Sequence, residues 1–257
     1  MLNARSVLVT GSNRGIGLEL IRQLLGNSKR PEWIFATCRD PEGPRAQELK
    51  KLAAQHHEVK IIPLEITDSS SIQAAVTKVT DLLQGAGLNL LINNAGMAKS
   101  RTMESETAED MAEVYRNNVI GPMMVTQALF LPLLRKASRE SRQKGMSCSK
   151  AAIINVSSEG GSITNILIFD LMPCVSYRCS KAALNMLTRC QSLGYAEDEI
   201  LCIALHPGWV QTDMGGSIGQ ATMPVDASAR AILNTLGRLT EKDNGTFVNW
   251  EGAGVPW

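Results

Sequence analysis

The chain opens with a short apolar strand that runs straight into a glycine-rich turn and an amphipathic helix. The predicted strand spans Ser6 to Thr10, and the predicted helix spans Gly15 to Leu25. The turn between them reads Gly11-Ser12-Asn13-Arg14-Gly15-Ile16-Gly17. Glycine collects in turns of every kind, but here it lets backbone N–H groups and a helix N-terminus approach a pyrophosphate closely. In this strand-turn-helix context the cluster favours dinucleotide binding.

The same alternation of short β-branched runs and longer amphipathic stretches continues along the chain. The predicted strands are Ser6 to Thr10, Trp33 to Cys38, Val59 to Leu64, Asn89 to Asn93, Ala151 to Val156, Ile200 to His206 and Gly245 to Trp250. The predicted helices are Gly15 to Leu25, Arg45 to Gln55, Ser69 to Leu83, Thr107 to Arg135, Tyr177 to Leu193 and Asp226 to Leu239. The segments Ser138 to Ser149 and Gly160 to Val175 read as irregular.

Two of the strands indicate the kind of sheet. Leu88 to Ile92 and Ala151 to Ile154 are apolar on both faces, which is typical of parallel strands covered by helices on each side. No repeat or linker divides the chain. The sequence therefore predicts the α/β class, with residues 1–257 forming a single doubly wound Rossmann-type domain. Its sheet is expected to be seven-stranded and mainly parallel, flanked by helices on both faces.

Composition narrows the choice of partners. With 44% hydrophobic residues and a net charge of +1, the chain is expected to be globular and to bind neither nucleic acid nor a membrane surface. No apolar run reaches the roughly 18 residues of a membrane span, and no leader is recognised. The 6 cysteines are irregularly spaced and only 3 histidines occur, so neither a metal site nor a disulfide framework is expected. These features favour a cytoplasmic protein with small-molecule partners.

Tyr177 and Lys181 stand four residues apart at the start of a predicted helix, which places both side chains on one face. A nearby ammonium favours phenolate, so it is expected to lower the tyrosine pKa towards the range useful for proton transfer. Such a pair is often an ordinary surface pair, and its surroundings must decide.

Those surroundings are polar or glycine-containing segments that follow the predicted strands. Asn93-Asn94-Ala95-Gly96 closes the fourth strand, Ser157-Ser158 the fifth and Pro207-Gly208 the sixth. The carboxyl ends of the strands form the ligand crevice of an open α/β sheet, so these segments are expected to converge on one site.

In this order, the motifs resemble those of the short-chain dehydrogenase/reductase family, and the resemblance covers nearly the whole chain. They are the glycine turn, Asn93 to Gly96, an asparagine in the long middle helix, a serine, and Tyr-x-x-x-Lys. Sniffer-type carbonyl reductases and C-factor-like proteins are resembled in particular. The segments that carry this second resemblance are Asn13 to Gly17, Ala36 to Arg39, His206 to Gly216 and Pro256-Trp257.

The resemblance implies catalytic roles for four residues. Tyr177 would donate a proton to the carbonyl oxygen as hydride arrives from the nicotinamide, and Lys181 would lower its pKa and hold the ribose hydroxyls. Ser158 would hydrogen-bond the substrate oxygen, while the first serine of the pair is structural. Asn118, rather than its neighbour Asn117, would hold a water that links Lys181 to solvent.

The resemblance also implies a cofactor site with glycines around the pyrophosphate and with Val210 and Thr212 at the nicotinamide carboxamide, although Thr212 also reads as a helix cap. The implied cofactor contacts are Gly11, Ser12, Asn13, Arg14, Gly15, Ile16, Gly17, Arg39, Glu65, Ile66, Asn94, Ala95, Gly96, Tyr177, Lys181, Pro207, Gly208, Val210 and Thr212.

The end of the second strand predicts NADP(H) rather than NAD(H). A carboxylate there binds the adenosine 2′-hydroxyl and repels a 2′-phosphate, but this chain has the neutral Cys38. Arg39 and Arg14 are placed to flank the phosphate with charge-assisted bonds. Asp40 lies before Pro41 and is expected to be a turn former.

Some positions depart from the family pattern. Glu65 replaces a common aspartate that contacts adenine, and Asn89 replaces a common aspartate with a local structural bond. The spacing from Ser158 to Tyr177 is longer than in most members. This segment is either a wall of the substrate pocket or a packing surface, and its extra apolar residues are Ile166, Leu167, Ile168, Phe169, Leu171 and Met172.

The resemblance implies an NADPH-dependent reductase of aldehydes, ketones or quinones. The alternatives are a dinucleotide-binding signalling protein with little turnover and an NAD-linked alcohol dehydrogenase. A homodimer is expected because two predicted helices, Thr107 to Arg135 and Tyr177 to Leu193, are apolar beyond one face. Their apolar residues are Met111, Val114, Met123, Met124, Leu129, Ala182, Ala183, Met186 and Leu187. The longer segment before Tyr177 would oppose this pairing if it covers the same surface.

Overall fold

The computed structural model describes residues 2–217 and 220–257 and contains a parallel sheet of 7 strands. The order across the sheet is β3-β2-β1-β4-β5-β6-β7, and every neighbouring pair is parallel. The strands are β1 (Ser6–Thr10), β2 (Trp33–Cys38), β3 (Val59–Pro63), β4 (Leu90–Asn93), β5 (Ala152–Val156), β6 (Leu201–His206) and β7 (Phe247–Asn249). The predicted doubly wound Rossmann-type fold is confirmed, and the sheet is wholly rather than mainly parallel.

Helices cover both faces of the sheet. They are α1 (Gly15–Leu25), α2 (Gln47–Gln55), α3 (Ser69–Leu83), α4 (Ala108–Tyr115), α5 (Gly121–Met124), α6 (Leu131–Glu140), α7 (Val175–Gly194), α8 (Asp213–Ser217) and α9 (Val225–Leu236). Short 3₁₀ turns occur at Pro44–Ala46, Glu159–Gly161 and Glu241–Asp243. Within the described residues no single helix is long and apolar enough to span a membrane; the bent pair Ala108–Gln127 and Leu131–Glu140 meets those requirements only when taken together.

Successive residues of β1 enter different cores, because side chains alternate between the faces of a strand. Val7 and Val9 belong to the core beneath α1 and α9, whereas Leu8 belongs to the core beneath α3 and α6. All three are fully buried. Burial on both sides explains why the central strands read as continuous apolar runs.

The predicted helix from Thr107 to Arg135 differs most from what is observed. The helical segment extends to Glu140, so the start of the predicted irregular segment is helical. Two π-helical segments, Arg116–Ile120 and Val125–Phe130, interrupt it. The α-helical turns that follow them carry Pro122 and Pro132, and proline lacks the N–H that an unbroken α-helix needs.

Other strand and helix boundaries differ from the predicted ones for local reasons. Gly245 has a φ of +75°, which is incompatible with a strand, so β7 is shorter than predicted. Pro44 starts a 3₁₀ turn, so α2 begins after Arg45. The helix α8 was not predicted because Gly215 and Gly216 are poor helix formers.

Candidate active site

A cleft of about 1030 Å³ lies at the carboxyl ends of the strands, where the sequence placed the site. We divide it into two parts. The cofactor half contains the glycine turn Gly11–Ile16, the segment after β2, Glu65 and the turn after β4. The substrate half contains the turn after Ser158, the segment Asn165–Met172, the first turn of α7 and the segment after β6.

The glycine turn is shaped by backbone conformations that other residues rarely adopt. Gly11 and Gly15 have φ values of +67° and +54°. At Gly17 a Cβ atom would lie 2.3 Å from the carbonyl oxygen of Gly11, so only glycine fits there. The first turn of α1 carries no acidic residue, which leaves its N-terminal N–H groups suited to an anion.

Side chains lock this turn to the end of β4. The Thr10 hydroxyl accepts hydrogen bonds from the N–H groups of Asn94 (3.0 Å) and Ala95 (2.9 Å). In return, the Asn94 amide donates to the carbonyl oxygens of Thr10 (2.9 Å) and Gly11 (3.2 Å). The two segments therefore hold each other in place.

The two arginines predicted to flank a phosphate both line the cofactor half, and each lies near a carboxylate. Arg39 is 81% exposed and lies 3.5 Å from Glu65, while Arg14 pairs with Asp213 at 2.6 Å. Burial, together with the charge of Asp40, raises the pKa of the Cys38 thiol to about 11, so this position is neutral.

Asp40 is a turn former, because its carboxylate accepts hydrogen bonds from the N–H groups of Glu42 (3.2 Å) and Gly43 (2.9 Å). Arg45 also lines the cleft and was missed. A second arginine soon after the end of β2 was the available signal.

Tyr177 and Ser158 meet in the substrate half. Burial raises the pKa of Tyr177, and its hydrogen bond with Ser158 only partly opposes this effect. The Ser158 hydroxyl also accepts from the N–H of Gly160 at 3.1 Å. A Cβ on Gly161 would lie 2.6 Å from the backbone of Lys181, so glycine allows the turn after Ser158 to pack directly on α7.

Lys181 is buried beneath Tyr177. Its ammonium donates to the carbonyl oxygen of Val156 at 2.8 Å and lies 5.5 Å from the Tyr177 ring centroid. Burial lowers its pKa to about 8. The expected lowering of the tyrosine pKa by Lys181 is therefore wrong for this structure, because burial of the phenol outweighs the effect of nearby groups.

Asn118 lies behind the site in a π-helical segment and does not line the cleft, although its neighbour Asn117 does. Its amide donates to the carbonyl oxygen of Met97 (2.8 Å) and the hydroxyl of Ser180 (2.9 Å), and it accepts from the Met97 N–H (2.9 Å). Asn118 thus ties the turn after β4 to α7. Its proposed water remains a prediction.

Three further residues have structural contacts. Ser12 is fully buried and donates to the carbonyl oxygen of Val9 at 2.7 Å; like Gly17, it does not line the cleft. Ser157 is structural, as expected, since its hydroxyl bonds the Asn185 side chain at 2.6 Å. Asn89 keeps the local role expected there, because its amide oxygen accepts from the Ser6 hydroxyl at 3.0 Å.

Two other predicted contacts use their polar atoms locally. One oxygen of Glu65 accepts from the N–H (3.2 Å) and the hydroxyl (3.0 Å) of Thr67. The Thr212 hydroxyl accepts from the N–H of Gly215 at 3.0 Å, which is the expected helix cap, while the residue also lines the cleft. The remaining predicted contacts that line the cleft are Asn13, Ile16, Ile66, Gly96, Pro207, Gly208 and Val210.

The segment before Tyr177 is exposed rather than part of the core. Leu167, Ile168 and Met172 line the cleft, which favours the pocket-wall alternative over internal packing. Ile166 and Leu171 are 59% and 81% exposed.

Arg178 organises this segment. Its guanidinium donates to the carbonyl oxygens of Leu167 (2.9 Å), Met172 (2.9 Å) and Pro173 (2.9 Å), and it lies 5.6 Å from the Phe169 ring centroid. Arg178 was not among the predicted site residues, although it directly follows Tyr177.

Among the described residues, no group of His, Cys, Asp and Glu side chains could hold a metal ion. A family model described as short chain dehydrogenase matches residues 5–222, which include the glycine turn, Ser158, Tyr177 and Lys181. The chain belongs to the short-chain dehydrogenase family. The resemblance inferred from the motifs is therefore confirmed.

Known relatives of this short-chain dehydrogenase include carbonyl reductases. An NADPH-bound carbonyl reductase from chicken fatty liver is 57% identical, with a TM-score of 0.96 over 100% of both chains. The carbonyl reductase Sniffer of D. melanogaster is 37% identical, with a TM-score of 0.93 over 99% of this chain and 100% of that one. The C-signal protein of Myxococcus xanthus is 34% identical over 171 residues, which are 66% of this chain and 93% of that protein.

Proposed function

We propose that this protein is an NADPH-dependent carbonyl reductase that acts on an aldehyde, ketone or quinone, with Tyr177 as the proton donor. The observation that carries the proposal is the meeting of Ser158, Tyr177 and Lys181 in a cleft that continues into the glycine turn. Similarity along the full length to an NADPH-bound carbonyl reductase supports it. We assign the whole catalytic function to residues 1–257 as one domain.

The residues of the cofactor half fit NADP(H). The glycine turn and the N-terminus of α1 suit a pyrophosphate, since Gly11, Gly15 and Gly17 leave the backbone accessible. Arg14 and Arg39 are placed to bind a 2′-phosphate beside the neutral Cys38. When bound, the reduced nicotinamide supplies a hydride.

The chain's own residues supply the one proton that the carbonyl oxygen needs. Because burial raises the pKa of Tyr177, its phenol is protonated at neutral pH and can donate to the carbonyl oxygen. Ser158, which hydrogen-bonds Tyr177, orients the same oxygen. Lys181 would hold the ribose hydroxyls of the cofactor, and its ammonium places positive charge beneath the tyrosine as the tyrosine loses its proton. Asn118 positions the turn that adjoins Lys181.

We propose a cytoplasmic homodimer as the working state. Met186 and Leu193 on α7 are 65% and 67% exposed, and Met111 on α4 is 37% exposed, so both helices retain uncovered apolar surface. Val114 does not contribute, because it is fully buried, and the side chain of Leu129 lies outside the described residues. Light scattering should give twice 27.8 kDa; the monomer mass at micromolar concentration would exclude the dimer.

The test of the function is consumption of NADPH against aldehydes, ketones, quinones and dicarbonyls. A carbonyl reductase oxidises NADPH with at least one class and forms the alcohol or hydroquinone in equal amount. Binding of NADPH without turnover across the panel would favour a signalling role. Faster oxidation of alcohols with NAD⁺ would favour an alcohol dehydrogenase.

A further inference from the structure

A side cavity of about 230 Å³ adjoins the substrate half of the cleft. Glu159, Asn165 and His206 line both spaces, so the side cavity is continuous with the place where a carbonyl substrate is proposed to bind. Its other lining residues come from the end of the chain and are Asn249, Trp250, Gly254, Val255 and Pro256.

The walls of this cavity are held in place. The N–H of Val255 donates to the carbonyl oxygen of Phe247 at 2.8 Å, and the Trp257 ring stacks on Phe247 at 5.7 Å. The N–H of Thr164 donates to the Trp257 carbonyl oxygen at 2.8 Å. The C-terminal Pro256-Trp257 segment is thereby fixed against the segment that precedes Tyr177.

Glu159 brings an uncompensated negative charge to the cavity. Within the described part of the chain, its one ion-pair contact is with His206, at 3.7 Å. Burial lowers the pKa of His206 to about 4, so the imidazole is neutral at pH 7 and does not balance the carboxylate. The two cations of the substrate half, Arg178 and Lys181, line the cleft but not the side cavity.

Two other acidic residues of the cleft differ from Glu159 because each is paired with a cation. The carboxylate of Glu113 is paired with Lys99, and that of Asp213 lies 2.6 Å from Arg14. Glu159 is therefore the carboxylate through which the side cavity attracts positive charge.

The cavity also presents an aromatic wall. Trp250 packs edge-on against His206, with ring centroids 5.5 Å apart and an interplanar angle of 70°. A carboxylate beside an indole ring is the combination that binds protonated and quaternary amines, through charge and cation–π attraction.

We infer that the side cavity is a substrate subsite for a protonated or quaternary amine and that Glu159 recognises its charge. The inference deepens the proposed function and rests on it, since the amine would belong to the molecule whose carbonyl group lies at Ser158 and Tyr177. Glu159 directly follows Ser158 in the chain, which places the two groups within the span of one small molecule.

A pair of isosteric aldehydes tests the subsite by turnover. The wild-type protein and Glu159→Gln are assayed with 4-(trimethylammonio)benzaldehyde and with the neutral 4-tert-butylbenzaldehyde. Loss of one partly exposed charge pair should lower kcat/KM for the cationic aldehyde about fivefold in Glu159→Gln and leave the neutral one unchanged. Glu140→Gln, an exposed carboxylate at the end of α6, controls for net charge and should match wild type. Equal ratios of the two aldehydes in all three proteins would overturn the inference.

A binding measurement keeps the inference separate from the proposed function. Calorimetry with benzyltrimethylammonium and NADPH-saturated protein requires no turnover. Binding to wild type and Glu140→Gln, weakened about fivefold in Glu159→Gln, supports the subsite even if neither aldehyde is reduced. Absence of binding to wild type, or equal binding to all three proteins, rejects the subsite whatever the reductase assay shows.

Discussion

The cofactor half and the substrate half of the cleft are built from different parts of the chain. Turns that directly follow β1, β2 and β4 form most of the cofactor half, and backbone groups with fixed glycine conformations dominate it. The substrate half depends on the longer segment 162–174, in which Ile168 and Cys174 have φ values of +48° and +39°. Hydrogen bonds from Arg178 and to the Trp257 carbonyl oxygen help to hold that segment. Chemistry shared within a family is thus fixed by strand ends, while selectivity is left to segments that can change.

The cofactor half and the side cavity of the substrate half also differ in charge. Arg14, Arg39 and Arg45 line the cofactor half, where a phosphate is proposed to bind, together with Asp40 and Glu65. The side cavity presents Glu159 beside the neutral His206 and has no Lys or Arg among the described residues that line it. This separation lets the same cleft attract an anionic cofactor at one end and discriminate between substrates at the other.

Tyr177→Phe is expected to separate the two halves most strongly, because it should impair turnover and leave cofactor binding intact. The variant lacks the proton donor but keeps the ring, so carbonyl reduction should fall about 10²- to 10⁴-fold with NADPH binding nearly intact. Steady-state rates and NADPH titrations measure the two effects. Lys181→Ala should instead impair both turnover and cofactor binding, because Lys181 serves both halves. More than about a tenth of wild-type turnover in Tyr177→Phe would contradict its role as the proton donor.

Acidic pH should lower the free energy of unfolding through His206, which lines the substrate half. The pKa of His206 is about 4 in the folded chain, below its ordinary 6.5, so between these values the unfolded chain binds a proton that the folded chain does not. Stability from this residue is complete above pH 6.5 and falls by up to about 3 kcal/mol as the pH approaches 4. Urea denaturation of wild type and His206→Gln measures the difference.

The control for this prediction is His57→Gln, because the His57 side chain is 93% exposed. That variant should follow the wild-type pH profile. An equal pH dependence in His206→Gln and wild type would show that the buried imidazole is not the source of the acid sensitivity.

Arg39→Ala tests whether the cofactor half recognises the 2′-phosphate of NADPH. Hydrogen bonds to a charged group contribute about 1.5 to 3 kcal/mol, so NADPH affinity should fall about tenfold or more with little change for NADH. Fluorescence titration with both cofactors measures this. Arg30→Ala is a matched control, since Arg30 pairs with Glu58 at 3.2 Å. Glu58 directly precedes β3 and so lies at the amino ends of the strands, away from the cleft. Equal losses for both cofactors would remove Arg39 from phosphate recognition.

The smallest effect is expected from Arg178→Ala, which removes the donor that holds the wall of the substrate half. The carbonyl oxygens of Leu167, Met172 and Pro173 lose their partner, so KM for bulky apolar substrates should rise about three- to tenfold. Both kcat and the Kd for NADPH should stay near wild type. Arg230→Ala, which breaks an exposed pair on α9, is the control. A fall in kcat with unchanged KM would mean that Arg178 acts on Tyr177 rather than on the wall.

The sequence determined the sheet and the cofactor half to a large extent. Local signals were sufficient there, because a glycine that must adopt a positive φ, such as Gly11, and a strand buried on both faces, such as β5, leave direct marks on residue choice. Cys38 at the end of β2 and Arg39 after it could also be recognised from the sequence, because they lie next to each other in the chain.

Only the tertiary structure decided the rest. Whether Ile166–Met172 packs inside the protein or walls a pocket depends on Arg178 and on Trp257, which is distant in the chain, and no periodicity reports such contacts. The pKa of Tyr177 rises rather than falls because burial is a property of the assembled site and cannot be read from the spacing of Tyr177 and Lys181. The role proposed for the Glu159 carboxylate could likewise not be predicted from the sequence, because it depends on the buried, neutral His206 beside it.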